Sequence, residues 1–137
     1  MIGLDTNVLL RVLADEDDPQ ADRGRELLAR LEQTGEVALV NHVVLCEFAW
    51  VIQRSRRFSR AELADLIATI MTTRLLRVAE PDAVEEALAL YRATRLDFAD
   101  ALIGVTNRRA GCATTYTFDR RAAATGEFTA VEEEFLY

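Results

Sequence analysis

Apolar positions along the chain alternate between short unbroken runs and stripes spaced at three and four residues, the signature of strands interleaved with helices. Residues 2–5, 37–40 and 75–78 are short apolar runs that predict buried strands. Residues 113–118 are rich in β-branched and aromatic side chains and predict a fourth strand. A short segment near Phe128-Thr129-Ala130-Val131 predicts a closing strand. Between these lie helical patterns. Thr6 is a plausible N-cap for a helix through Val8 to Leu13. Pro19 to about Gln33 is amphipathic, with Leu27, Leu28 and Leu31 on one face, and Gly35 ends it. Val43 to Arg54 predicts a mostly buried helix. Ser59-Arg60-Ala61-Glu62 is a capping box, opening a helix whose Leu63, Leu66, Ile67, Ile70 and Met71 form a stripe for a core or a subunit interface. Pro81 starts a helix with Val84, Leu88 and Tyr91 inward, and another runs from about Asp97 to Arg109 before Gly111. Such alternation implies an α/β domain with a mainly parallel sheet and helices on both faces.

Length, composition and charge narrow this further. A chain of 137 residues fits one domain with one core, and no linker, repeat or low-complexity tract interrupts it. No apolar run approaches the roughly 20 residues that span a bilayer, and no secretory signal is visible, so a cytoplasmic protein is expected. Cys46 and Cys112 lie among apolar neighbours and read as buried free thiols, a disulfide being poorly supported. The formal net charge of −7 argues against a surface that coats nucleic acid. It does not exclude a nuclease, because bound cations invert the local charge where acids cluster. The pairs Arg56-Arg57, Arg108-Arg109 and Arg120-Arg121 could contact phosphate but read first as solvated surface. Asp15-Glu16-Asp17-Asp18 reads as a solvated turn ahead of Pro19 rather than a calcium loop.

Four carboxylates stand inside or at the edge of apolar segments: Asp5, Glu47, Asp100 and Asp119. A charge buried there must be paired, hydrogen-bonded or bound to metal. Each has a bland reading alone. Asp5 could cap the following helix, Asp119 could start a turn with Arg120, and Glu47, with Val43, Val44, Trp50 and Val51 at helical spacing, could bond a buried donor. Asp100 has Asp97 one turn back, and like charges at that spacing repel. Asp97 reads mainly as the N-cap of its helix. Together, clustered carboxylates either take up protons or bind a cation, and oxygen-rich sites favour Mg²⁺ or Mn²⁺. Such an ion would suit phosphodiester hydrolysis. Thr6, Asn7 and Thr117 stand beside the acids as possible hydrogen-bonding supports. His42, the single histidine, reads as a strand-to-helix turn residue. In open α/β sheets ligands bind beyond the carboxyl ends of strands, where Asp5 and Asp119 are expected.

At these residues the chain resembles a family. Asp5-Thr6-Asn7, Glu47 in a hydrophobic helix, Asp97-Phe98-Ala99-Asp100-Ala101-Leu102-Ile103 and Thr117-Phe118-Asp119 look like the acidic motifs of PIN-domain ribonucleases. Their order, spacing and the short chain look most like the VapC toxins of toxin–antitoxin pairs, over nearly the whole chain. The resemblance implies that Asp5, Glu47, Asp100 and Asp119 are catalytic, metal-binding carboxylates, with Thr117 the hydroxyl residue before the last acid and Asp97 an accessory acid. It implies Mg²⁺- or Mn²⁺-dependent cleavage of RNA, a homodimer, and a small VapB-like antitoxin that blocks the site and carries the toxin to operator DNA. Asn41-His42-Val43 departs from the Ser or Thr that many relatives carry near that strand end. A response-regulator receiver is excluded, because the chain has no Lys. A haloacid-dehalogenase-like phosphatase lacks its second acid, since position 7 is Asn7. A non-catalytic PIN-like module that binds RNA or protein is the remaining alternative; loss of an acid would be its mark, and none is lost. The apolar residues Phe48, Trp50 and Phe58 are candidates for a partner or dimer face, or for core.

Overall fold

The computed structural model describes residues 1–14 and 18–132. The chain divides into two compact units, Met1–Pro81 and Asp82–Tyr137. The first unit holds a parallel sheet of β1 (Ile2–Gly3), β2 (Ala38–Val40) and β3 (Leu76–Val78) in that order. Ile2 pairs with Ala38, and Ala38 with Leu76. Parallel neighbours need crossover helices, and the chain supplies them. α1 (Thr6–Leu13) and α2 (Pro19–Thr34) join β1 to β2, and α3 (His42–Ser55) and α4 (Arg60–Thr72) join β2 to β3. The second unit holds α5 (Pro81–Ala93, its first residue closing the first unit), α6 (Phe98–Arg109), β4 (Thr115–Thr117), α7 (Arg120–Ala123) and β5 (Phe128–Ala130). β4 and β5 pair in parallel, Thr115 opposite Phe128. All strand pairs among the described residues are therefore parallel, as the alternation predicts, and they form two sheets of three and two strands.

Local chemistry places most helix ends. The capping box is present, with Ser59 Oγ accepting from Glu62 N–H and Glu62 Oε1 accepting from Ser59 N–H. α2 begins at Pro19 under the Asp18 cap and ends at Gly35, which takes the left-handed φ of +75° that closes a helix cheaply only at glycine. Of the predicted acidic turn, Asp18 is this cap, and residues 15–17 lie outside the described part. Two expectations shift by one residue. The cap of α1 is Asp5, not Thr6, because the Asp5 carboxylate accepts from Val8 N–H at 3.1 Å. α3 begins at His42 under Asn41, and the His42 ring bonds the Ala79 carbonyl at 2.7 Å, tying the end of β2 to that of β3.

The cores are apolar. In the first unit Leu9, Val40, Leu45, Phe48, Leu63, Ile67 and Ile70 are fully buried, each contributing about 1.5–3 kcal/mol. Phe48 is thus core, while Trp50 is exposed with Arg54 stacked over its ring at 4.4 Å. In the second unit Val84, Tyr91, Phe98 and Val105 are buried, Tyr91 meeting Phe98 edge-on at 6.3 Å. Leu96, Ala122 and Phe128 form a second cluster there. Close approach matters at Gly24, where an added Cβ would stand 2.7 Å from a Val12 methyl, so glycine lets α1 and α2 touch. The thiols differ from expectation. Both are free, but Cys112 is exposed in the turn after α6, and only Cys46 is partly buried. Of the three arginine pairs, Arg108 and Arg109 both bond Glu86 of α5, at 2.5 and 2.9 Å, and so have structural work.

Candidate active site

Among the described residues no polar or charged side chain is buried. The premise of four buried acids therefore fails: Asp5, Glu47 and Asp119 are exposed and Asp100 is half-buried. The physical reason is where each element ends. Asp5 follows β1, Asp119 follows β4 and Asp100 lies in the first turn of α6, at strand ends and a helix start where the backbone turns to solvent. Glu47 is the largest departure. α3 buries Val44, Leu45, Phe48, Ala49 and Ile52, and its other side exposes Val43, Glu47, Trp50 and Val51. The apolar face around Glu47 is itself a surface.

In the first unit two of the acids are linked. Asp5 caps α1, which fixes its carboxylate at the start of that helix. The next residue, Thr6, donates from Oγ1 to Glu47 Oε1 at 3.1 Å, joining α1 to α3. Asp5 and Asn7 also line an open cleft of about 460 Å³ between α1 and α2, with Arg11, Gln20 and Arg23 on its walls. Arg11 is held by Asp18 at 3.1 Å and by Gln20 at 3.3 Å.

In the second unit Asp97, Asp100 and Asp119 line one small cleft of about 150 Å³, with Arg95 and Arg121. Asp97 is the N-cap residue of α6, but its side chain makes no capping hydrogen bond. Burial pushes the Asp100 carboxyl above its ordinary pKa, and the charges of Asp97 and Asp119 push it further the same way. Asp119 is oriented from both sides: its N–H donates to Thr117 Oγ1 at 3.0 Å, and its Oδ1 accepts from Arg121 N–H at 2.8 Å as the cap of α7. Thr117 thus serves the acid through the backbone.

The structure therefore brings together Asp5, Thr6 and Glu47 in one unit, and Asp97, Asp100 and Asp119 in the other. Among the described residues no group of three or more His, Cys, Asp or Glu side chains is placed to hold a metal ion. The donor chemistry nonetheless suits a hard cation. Every donor is a carboxylate or hydroxyl oxygen, and the part of the upward push on Asp100 that comes, after burial, from the charges of Asp97 and Asp119 is a repulsion that a cation would relieve. Arg121, from a pair read first as solvated surface, lines the acidic cleft, whereas Arg95 on the same walls was not anticipated, nor was Arg23 on the other cleft. A signal existed for the last: Gln20, Arg23, Gly24 and Leu27 share one face of α2 at helical spacing.

Comparison with known proteins places these residues in a lineage. The sequence profile of the PIN domain matches residues 2–127, running across both units. Over 118 residues the chain is 27% identical to the VapC ribonuclease of Aquifex aeolicus (strain VF5), covering 86% of this chain and 87% of that protein. Among solved structures it matches VapC20 of Mycobacterium tuberculosis, a toxin that cleaves the sarcin–ricin loop, at 22% identity, over 92% of this chain and 95% of that one. The TM-score of that superposition is 0.41, a likeness too loose to bear on this chain.

Proposed function

Because this chain belongs to the PIN-domain family, we propose that it is a VapC-type ribonuclease toxin that hydrolyses RNA phosphodiester bonds with Mg²⁺ or Mn²⁺. The observation that carries this is the cleft of Asp97, Asp100 and Asp119, in which the half-buried Asp100 carries a raised pKa among like charges. An acid whose pKa is shifted by burial and by neighbouring charges, standing in a cleft, is a candidate functional group. In this reading Asp5, Glu47, Asp100 and Asp119 are the metal-binding carboxylates. When bound, the ion supplies a water of lowered pKa and neutralises charge at the leaving oxygen.

The remaining work belongs to the side chains around the acids. Thr6 holds the Glu47 carboxylate by its hydroxyl, and the α1 cap orients Asp5. Thr117 holds the backbone of Asp119, and Asp97 adds negative charge beside Asp100. Asn7, on the wall of the Asp5 cleft, offers an amide to substrate or water. The same reading assigns RNA as substrate, a homodimer as the assembly, and a VapB-like antitoxin as the inhibitor through which operator DNA is reached.

The test is cleavage of total cellular RNA by purified wild type and Asp100→Asn, with Mg²⁺, with Mn²⁺ and with chelator. Discrete products are expected only with an ion and only from the wild type. Products that persist in Asp100→Asn, or that ignore chelator, would overturn the assignment. A folded wild type that cuts nothing would instead leave a binding module.

A further inference from the structure

Phe118 stands apart from the other phenylalanines whose burial decides their role. Phe48, Phe98 and Phe128 are 0, 1 and 7% exposed, whereas Phe118 is 87% exposed. Single exposed apolar residues are common and need no explanation. Three further facts set this one apart.

The backbone around it is pinned. Thr117 C=O accepts from Val131 N–H at 2.9 Å, Asp119 N–H donates to Thr117 Oγ1 at 3.0 Å, and Asp119 caps α7. The ring is thus presented from a rigid base, with only its own two torsions left to order. Its direction is also set by the strand: Thr115 and Thr117 are half-buried while Tyr116 and Phe118 are exposed, the alternation of extended chain. Finally, its neighbour Asp119 lines the acidic cleft, whose walls also carry Arg95 and Arg121. An exposed aromatic ring one residue along the chain from a cleft that carries guanidinium groups offers partners for the two halves of a nucleotide, base and phosphate.

We infer that Phe118 is a stacking platform for a nucleobase of single-stranded RNA, holding the nucleotide beside the cleft of Asp100 and Asp119. This rests on the ribonuclease reading above. Single-stranded RNA is bound elsewhere by bases stacked on strand-borne aromatic rings. A phenylalanine ring has no polar edge to read a base, so the platform tolerates any base and sets position rather than sequence.

The test uses the full chain carrying Asp100→Asn, so that RNA is bound and not cut. The probes are a fluorescein-labelled single-stranded RNA of mixed sequence and an abasic oligomer with the same number of phosphates. Phe118→Ala should weaken RNA binding roughly 5- to 100-fold, leave the abasic oligomer unaffected, and leave the melting temperature unchanged. Phe118→Trp should restore binding. Three results would overturn the platform: undiminished RNA binding by Phe118→Ala, equal loss for both probes, or a change in oligomer size with RNA binding intact, which would mark a protein interface. Parallel cleavage assays with Asp100 restored separate the two readings. A wild type that cuts RNA while Phe118→Ala binds and cuts equally well refutes the platform alone. A wild type that neither binds nor cuts refutes both.

Discussion

Replacing Gly24 by alanine tests how closely α1 and α2 pack beside the Asp5 cleft. An added Cβ would meet Val12 Cγ2 at 2.7 Å, about 1 Å inside the optimal carbon–carbon separation of roughly 3.5–4.0 Å. Val12 lies in α1, where a β-branched side chain has one strongly preferred rotamer, so its methyl does not swing aside freely. Overpacking of this kind costs about 1–3 kcal/mol. Against it, alanine in a helix interior is favoured over glycine by about 1 kcal/mol. The balance is a net loss of about 1 kcal/mol, with the melting temperature down by roughly 3–5 °C for a chain of this size. The second perturbation isolates the cause. In a Val12→Ala background no γ-methyl remains, so Gly24→Ala should stabilise by the full ~1 kcal/mol of helix propensity. The assay is a double-mutant cycle by thermal and urea denaturation, read by circular dichroism. Gly24→Ala that stabilises the wild type outright would show that the contact is absent. Equal destabilisation in both backgrounds would show that Val12 is not its cause.

Two further outcomes follow from the titratable groups. Asp100 has a raised folded-state pKa, so the folded protein holds this proton to higher pH than the unfolded chain does. Its contribution is therefore most favourable below the ordinary value of 3.8 and is lost as pH rises through the raised one. Ion-free Asp100→Asn should thus be more stable than wild type in urea at pH 7, by a margin that shrinks towards pH 4; a margin independent of pH would refute the account. The thiols should separate in a titration with Ellman's reagent. Cys112, exposed, should react at once, and Cys46, its pKa raised by burial, only slowly until urea unfolds the chain. Two equally fast thiols would contradict this packing.

How much of this was legible beforehand depends on the range of the interaction involved. The capping box at Ser59, the proline start and glycine stop of α2, and the five strands were readable because each rests on contacts within a few residues or on a simple period. The parallel pairing followed too, since alternating strands and helices have few other ways to cover their apolar faces. The order of the acids along the chain sufficed to name the family that residues 2–127 match.

Exposure was not legible. Glu47 stands among Val43, Trp50 and Val51 in sequence, and only packing decides that this side of α3 faces solvent while Phe48 and Ile52 face the core. Nor could periodicity show that Cys112 is exposed, or that Phe118 is left out of the core that takes Phe98 and Phe128. The reason is physical. Caps, turns and periods are local free energies written into neighbouring residues, and the sequence by itself determined the elements and the order of the acids along the chain. Which side of an element meets water depends on partners far along the chain. The tertiary structure alone therefore decided that Thr6 bonds Glu47 across 41 residues, and that Asp97, Asp100 and Asp119 line one cleft.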